Sequence, residues 1–166
     1  MNQVFLLFGS NIEPRLSYLQ EAEQKVSVAV GKILQSSSVY ESEPWGFQAS
    51  QSFLNRVAIV ETVLSAQEVL KKVLAIETEM GRKRLNKGFS SRQIDIDILY
   101  FNEMRIEETT LTVPHPGIPD RRFVLAPLAE IAANFIHPAL KVSNADLLKQ
   151  CMDESGVWIY EVQKED

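Results

Sequence analysis

A single cysteine, Cys151, stands in a chain of 166 residues. One thiol excludes an intramolecular disulfide and any zinc site built from cysteines. Long hydrophobic runs are missing too: nothing approaches the roughly 20 residues needed to cross a bilayer. The opening MNQVFLLFGSNIEPR has only the short apolar run Val4–Phe8 with no basic residue before it, whereas a secretory signal needs about 7–15 apolar residues. The expectation is a cytoplasmic protein without a membrane segment. Cations are outnumbered, with 17 Lys and Arg against 22 Asp and Glu and a net charge of −5. That balance argues against a general nucleic-acid binder, whose affinity comes from basic residues on phosphates. What remains is ordinary for a folded protein, 45% hydrophobic and 23% charged, so disorder is not expected. The length suits a single domain, 1–166, and no linker or repeat divides it.

The hydrophobic pattern predicts the elements in order. Val4–Phe8 is a continuous apolar run of the kind found in strands buried on both faces. Asn11, Glu13 and Pro14 supply helix-start chemistry. Leu16, Leu19, Ala22, Val26 and Val30 then follow at helical spacing, with Gly31 where a helix would end. A strand is predicted from about Lys32 to Glu41 and another from Phe53 to Leu64, rich in β-branched and aromatic residues. Ser65 and Glu68 form a capping box before Val69, Val73, Ile76 and Met80, and Gly81 closes that helix. Gln93–Phe101 alternates as a strand. The order β-α-β-β-α-β is the ferredoxin-like α+β unit, an antiparallel sheet with both helices on one face. Beyond it come C-terminal additions: LTVPHP, a helical piece around Phe123–Ala132, a helix near Ala145–Met152 that buries Cys151, and a last strand in VWIYEV.

Within the Gln93–Phe101 strand, Asp95 and Asp97 are two residues apart and share a face, while Ile94, Ile96 and Ile98 share the other. An edge strand with its polar face in water would explain them. So would a divalent cation, which relieves both the burial of two carboxylates and their repulsion. The segment before them is R-K-R-L-N-K-G-F-S-S-R. Residues 82–92 hold Arg82, Lys83, Arg84, Lys87 and Arg92 and no acid, a charge of +5 in a chain that nets −5, so the rest carries −10. A solvated charge run is one reading. A cation clamp beside a metal site is the other, and it is the arrangement that phosphoryl transfer needs. Arg121 and Arg122 form a second basic cluster. His115 lies six residues upstream of Arg121, bracketed by prolines, and is either structural or a hydrogen-bond donor to phosphate. Trp45, Phe47, Phe53 and Asn55 are either core or a stacking site for a flat polar heterocycle.

Taken together, these motifs resemble those of the 6-hydroxymethyl-7,8-dihydropterin pyrophosphokinases of folate biosynthesis. The resemblance covers nearly the whole chain. It runs through G-S-N, E-P-W-G, F-L-N, E-x-x-x-G-R-x-R (Glu77, Gly81, Arg82, Arg84), R-x-x-D-I-D-I-L, L-T-V-P-H and R-x-F-V-L-x-P-L. It differs from the family's usual residues at Ser90-Ser91, Thr110, Pro116 and Phe53.

The resemblance implies an enzyme, a diphosphokinase that transfers the pyrophosphoryl group of ATP to the pterin hydroxymethyl and releases AMP. It implies two Mg²⁺ ions on Asp95 and Asp97, with Arg82 and Arg92 beside them as catalytic residues. It implies an ATP site of Glu77, Arg82, Arg84, Arg92, Ile98, Thr112, His115 and Arg121. The implied pterin site is Ser42, Pro44, Trp45, Phe53, Asn55, Asp95 and Phe123. The partners implied are these small molecules, with no nucleic acid and no membrane, in a monomer acting with other folate-pathway enzymes. Without the resemblance, a metal-dependent nucleotidyltransferase-like enzyme, an RNA-binding module or a non-catalytic ferredoxin-like ligand-binding module would share the element order. The RNA-binding reading lacks a basic sheet face.

Overall fold

The computed structural model describes residues 1–43, 51–81 and 93–161. The apolar run lies within β1 (Asn2–Ser10), which is buried from Val4 onward. The chain then forms α1 (Arg15–Ala29), β2 (Lys32–Ser36), β3 (Tyr40–Ser42), β4 (Phe53–Thr62), α2 (Ala66–Glu79) and β5 (Asp95–Phe101). Across the sheet the order is β5-β1-β4-β3, with β2 also on β4 and every pair antiparallel. With β2 and β3 counted as the second strand, this is the ferredoxin-like topology.

The expected single strand over 32–41 is interrupted. Its register on β4 shifts between Ile33 and Gln35. At Ser37 the side chain enters the ladder: the backbone N–H donates to the Val57 carbonyl (2.8 Å) and Oγ accepts from the Val57 N–H (3.0 Å). A serine hydroxyl competing for backbone partners breaks regular pairing, and the strand resumes only at Tyr40. Gly31 follows α1 as expected, but for a reason of contact: a Cβ there would collide with the Glu61 carbonyl. Gly81 after α2 has φ +94°, the left-handed conformation that glycine adopts without strain. The Ser65 cap forms, its Oγ accepting from the Glu68 N–H at 3.2 Å.

Leu19, Ala22 and Val26 of α1 and Val69, Val73 and Ile76 of α2 pack on the sheet face formed by Val4, Leu6, Phe8, Ile96 and Ile98. The opposite face, with Phe5, Leu7, Val57 and Tyr100, is covered by the C-terminal part of the chain. That part begins with the short pair β6 (Ile106–Glu107) and β7 (Thr112–Val113), followed by a single 3-10 turn over Ile118–Asp120. Next come α3 (Arg122–Ala132), α4 (Asn144–Gln150) and β8 (Val157–Ile159), which adds to β3. The alternation of β5 holds to Ile98, after which Leu99 and Tyr100 are buried under the C-terminal part of the chain and Phe101 in the core with α1 and α2. The last helix ends one residue before Cys151, which is half-buried rather than buried.

Candidate active site

Residues paired across antiparallel strands project from the same face. Gly9 of β1 is the cross-strand partner of Asn55 on one side and of Asp95 on the other. With neighbouring strands about 4.8 Å apart, the two side chains stand roughly 10 Å from each other across a position with no side chain. A Cβ on Gly9 would lie 3.2 Å from Asn55 Oδ1. The next row on the same face joins Asp97 to Leu7 and Val57. The two carboxylates therefore sit on the face that α3 covers, at the strand that ends the sheet.

At the Asn55 end of the row, Asn55 and Ser42 are both buried, and Asn55 Nδ2 donates to Ser42 Oγ at 2.7 Å. Ser42 is the cross-strand partner of Phe53, which shares Asn55's face two residues away. Three of the expected pterin residues are thus contiguous.

At the other end, Asp95 and Asp97 are half-buried on either side of buried Ile96. Both line a cavity of about 320 Å³ together with Glu77, Ile98, Thr112 and His115. This volume falls in the range of small-molecule sites, roughly 300–1,000 Å³. The structure therefore gathers six of the expected metal and ATP residues around one space.

Glu77 also has a role that the sequence does not reveal. It is buried in α2, and its Oε2 accepts from the Ile96 N–H at 3.2 Å. That N–H lies between the two aspartates, so α2 holds the strand where the carboxylates branch from it.

The His115 backbone N–H donates to the Leu99 carbonyl (2.9 Å) and lays its segment along β5. His115 Nδ1 accepts from the Gly117 N–H at 2.9 Å, which leaves the proton of the neutral ring on Nε2. Burial holds the imidazole below the ordinary histidine range; the Asp97 charge opposes this and the Arg121 charge adds to it.

Arg121 and Arg122 do not act as a pair. Arg121 precedes α3, its guanidinium 6.0 Å from the centre of the Phe123 ring, and its charge reaches His115. Arg122 turns away. Its N–H donates to Asp153 Oδ2 (3.0 Å), its Nε to the Asp153 carbonyl (2.9 Å) and its Nη2 to the Cys151 carbonyl (3.4 Å). Consecutive residues at a helix start point in different directions, so the RR dipeptide splits between the neighbourhood of His115 and the C-terminal segment.

Pro44, Trp45, Phe47, Arg82, Arg84 and Arg92 lie outside the described residues. Among the described residues no three His, Cys, Asp or Glu side chains gather into a metal-holding group. The candidate donor set is the Asp95–Asp97 pair. It fits Mg²⁺, which takes one or two carboxylates and fills its shell with water and phosphate oxygens. Gly9 is not among the expected site residues; the sequence marks it as the end of a continuous apolar run and as the first residue of G-S-N, and the register places it between Asn55 and Asp95.

The sequence model of the family 7,8-dihydro-6-hydroxymethylpterin-pyrophosphokinase (HPPK) matches residues 5–133. The 2-amino-4-hydroxy-6-hydroxymethyldihydropteridine pyrophosphokinase of Aquifex aeolicus is 43% identical over 138 residues, covering 83% of this chain and 85% of its own. The folic acid synthesis protein fol1 of Pneumocystis carinii is 35% identical over 151 residues, 90% of this chain, and this chain spans only 20% of its length. Among solved structures, an HPPK-DHPS of Plasmodium falciparum aligns with a TM-score of 0.76 at 17% identity, over 90% of this chain and 43% of that one. That likeness concerns the fold. Among the described residues no helix is long and apolar enough to cross a membrane.

Proposed function

The chain belongs to the 7,8-dihydro-6-hydroxymethylpterin-pyrophosphokinase family, and on that premise we propose how its residues carry the family's reaction. The reaction transfers the pyrophosphoryl group of ATP to the hydroxymethyl group of 6-hydroxymethyl-7,8-dihydropterin, with AMP as the second product. The observation that carries the assignment is the row Asn55–Gly9–Asp95. It sets an amide site for a flat heterocycle next to a carboxylate pair, across a floor left open by glycine.

In this reading Ser42, Phe53 and Asn55, with Pro44, Trp45 and Phe123, hold the pterin, and Asp95 borders it. The Asn55 amide both donates and accepts, which suits a pterin edge. Glu77, Ile98, Thr112, His115 and Arg121, with Arg82, Arg84 and Arg92, hold ATP. His115 offers Nε2–H to a phosphate oxygen, and Arg121, whose charge reaches His115, adds a guanidinium. Asp95 and Asp97 would hold two Mg²⁺ ions, which supply neutralisation of phosphate charge and polarisation at phosphorus. The remaining contribution of the chain is positioning: the pterin oxygen and the triphosphate are brought together over Gly9. The chain acts as one cytoplasmic catalytic domain, a monomer. The fused relatives support its working beside other enzymes of folate synthesis.

The test is product analysis. Purified protein with ATP, Mg²⁺ and 6-hydroxymethyl-7,8-dihydropterin is expected to yield AMP and diphosphorylated pterin in equal amounts. Release of inorganic pyrophosphate with a nucleotidylated acceptor would replace this reading with nucleotidyl transfer.

A further inference from the structure

Both histidines of the chain line a second cavity, of about 200 Å³, on the far side of the segment that carries His115. Thr112, His115 and Pro116 border both cavities. The second reaches away from the aspartates toward Ala139 and Leu140, and much of its wall is apolar, with Val113, Pro114, Pro119 and Leu140.

Its polar groups are organised. His137 is only 5% exposed. Its Nδ1 accepts two backbone N–H groups, from Ala139 at 3.2 Å and Leu140 at 3.0 Å. A neutral imidazole has one proton, so here it sits on Nε2. That N–H donates to no other described residue. His115 is built alike, with Nδ1 accepting from Gly117. Burial holds the His137 ring below the ordinary histidine range; a hydrogen bond with its own backbone opposes this, and the Arg105 charge adds to it. Arg105 is exposed and lines the same cavity, as does Glu107.

The chemistry of an occupant follows. Rings whose Nδ1 accepts a backbone N–H present Nε2–H outward, so they donate and do not ligate a metal. An N–H donor lining a cavity with an arginine beside it suits an anionic acceptor. Glu107 disfavours a second negative charge. Apolar walls want an apolar body, and since a cavity of about 150 Å³ admits benzene, this one admits a single ring. We propose that this cavity binds a small organic monoanion, a carboxylate on a one-ring apolar body, with its oxygens on His137 Nε2–H and Arg105 and its ring among the prolines. Such an occupant bears on the Thr112–Pro116 segment from the side opposite to the Asp95–Asp97 cavity. The proposal rests on this cavity alone and not on the reading of the aspartates.

Benzoate is the probe, titrated into the full chain while the imidazole nitrogens are followed by NMR; with two histidines the spectrum is directly assignable. Saturable shifts of the His137 Nε2 resonance are expected. Benzamide, with the same shape and no charge, is expected to bind roughly tenfold more weakly, and Arg105→Gln to weaken benzoate by about the same factor. His137→Phe is expected to abolish the titration in a protein that still melts cooperatively. Should that variant fail to fold, Arg105→Gln decides, because its side chain is on the surface. The proposal is overturned if His137 shows no saturable shift, if benzamide binds as well as benzoate, or if Arg105→Gln changes nothing. It is equally overturned if inorganic phosphate shifts His137 at lower concentration than benzoate.

Discussion

Asn55 and Asp95 occupy one cross-strand row, separated by Gly9, which is the register partner of both. This relation joins the two halves of the proposed site without any loop. A substitution of Gly9 therefore acts on both halves. Gly9→Ala is expected to raise KM for the pterin roughly tenfold, the scale of one misplaced methyl in a binding pocket. KM for ATP should move far less. Steady-state kinetics with each substrate varied in turn measures both; an unchanged pterin KM would remove Gly9 from the floor of the site.

Glu77 gives a second prediction, on stability. Glu77→Ala leaves the buried Ile96 N–H without the carboxylate it now donates to. The expected loss is about 1–3 kcal/mol in denaturant unfolding, the cost of an unsatisfied buried donor. Glu77→Gln keeps an acceptor and is expected to recover most of it. Equal stability of Glu77→Ala and the wild type would mean that α2 does not hold this strand.

Arg121 and Arg122 separate two kinds of effect. Arg122→Ala loses the bonds to Asp153 and Cys151 and is expected to cost about 1–3 kcal/mol of stability with kcat nearly unchanged. Arg121→Ala is expected to fold normally and to lose kcat by about 10²-fold, as when a preorganised donor to developing charge is removed. Reversal of the two phenotypes would reverse their assignments.

A pH dependence follows from the Arg15 cluster. Arg15 is buried and bonds Glu13 Oε1 (2.7 Å), Glu41 Oε2 (2.7 Å) and the Ser52 carbonyl (3.0 Å). Burial pushes the Glu41 carboxyl up, but hydrogen bonds from Arg15, Ser52 and Trp158 outweigh it and hold the group below the ordinary glutamate range. A carboxyl depressed in the folded state contributes stability that is complete above its unfolded value, about 4.3. That stability is lost as pH falls through the lower folded value. Arg15→Met should therefore lower stability at neutral pH by about 2–3 kcal/mol, less than for a fully buried pair because both carboxylates touch solvent. Its acid limb should also be flatter. Parallel acid limbs for variant and wild type would reject the linkage.

The legible parts of the fold are those with strong periodicity: the continuous run in β1, the helical spacing of α1 and α2, and the Ser65 cap. Alternation around Ile96 also makes the same-face aspartates legible from residue order alone. The break at Ser37 is not, because it depends on which strand offers Val57 as a partner. Nor is the split of Arg121 from Arg122, since adjacent letters carry no direction until Asp153 is in place. Gly9 is visible as a residue but not as a floor, because its two neighbours come from strands 46 and 86 positions away. The resemblance places Glu77 near the nucleotide, but its bond to Ile96 needs the packing of α2 on β5.

The central claim is that Asp95 and Asp97 hold the metal on which transfer depends, apart from the pterin site at Asn55. The most direct measurement is Asp97→Ala, assayed for kcat in the presence of Mg²⁺ and for pterin affinity by equilibrium titration. The account predicts a loss of kcat of roughly 10³-fold or more with pterin affinity close to wild type. A near-normal kcat, or a loss of pterin affinity as large as the loss of turnover, would contradict it.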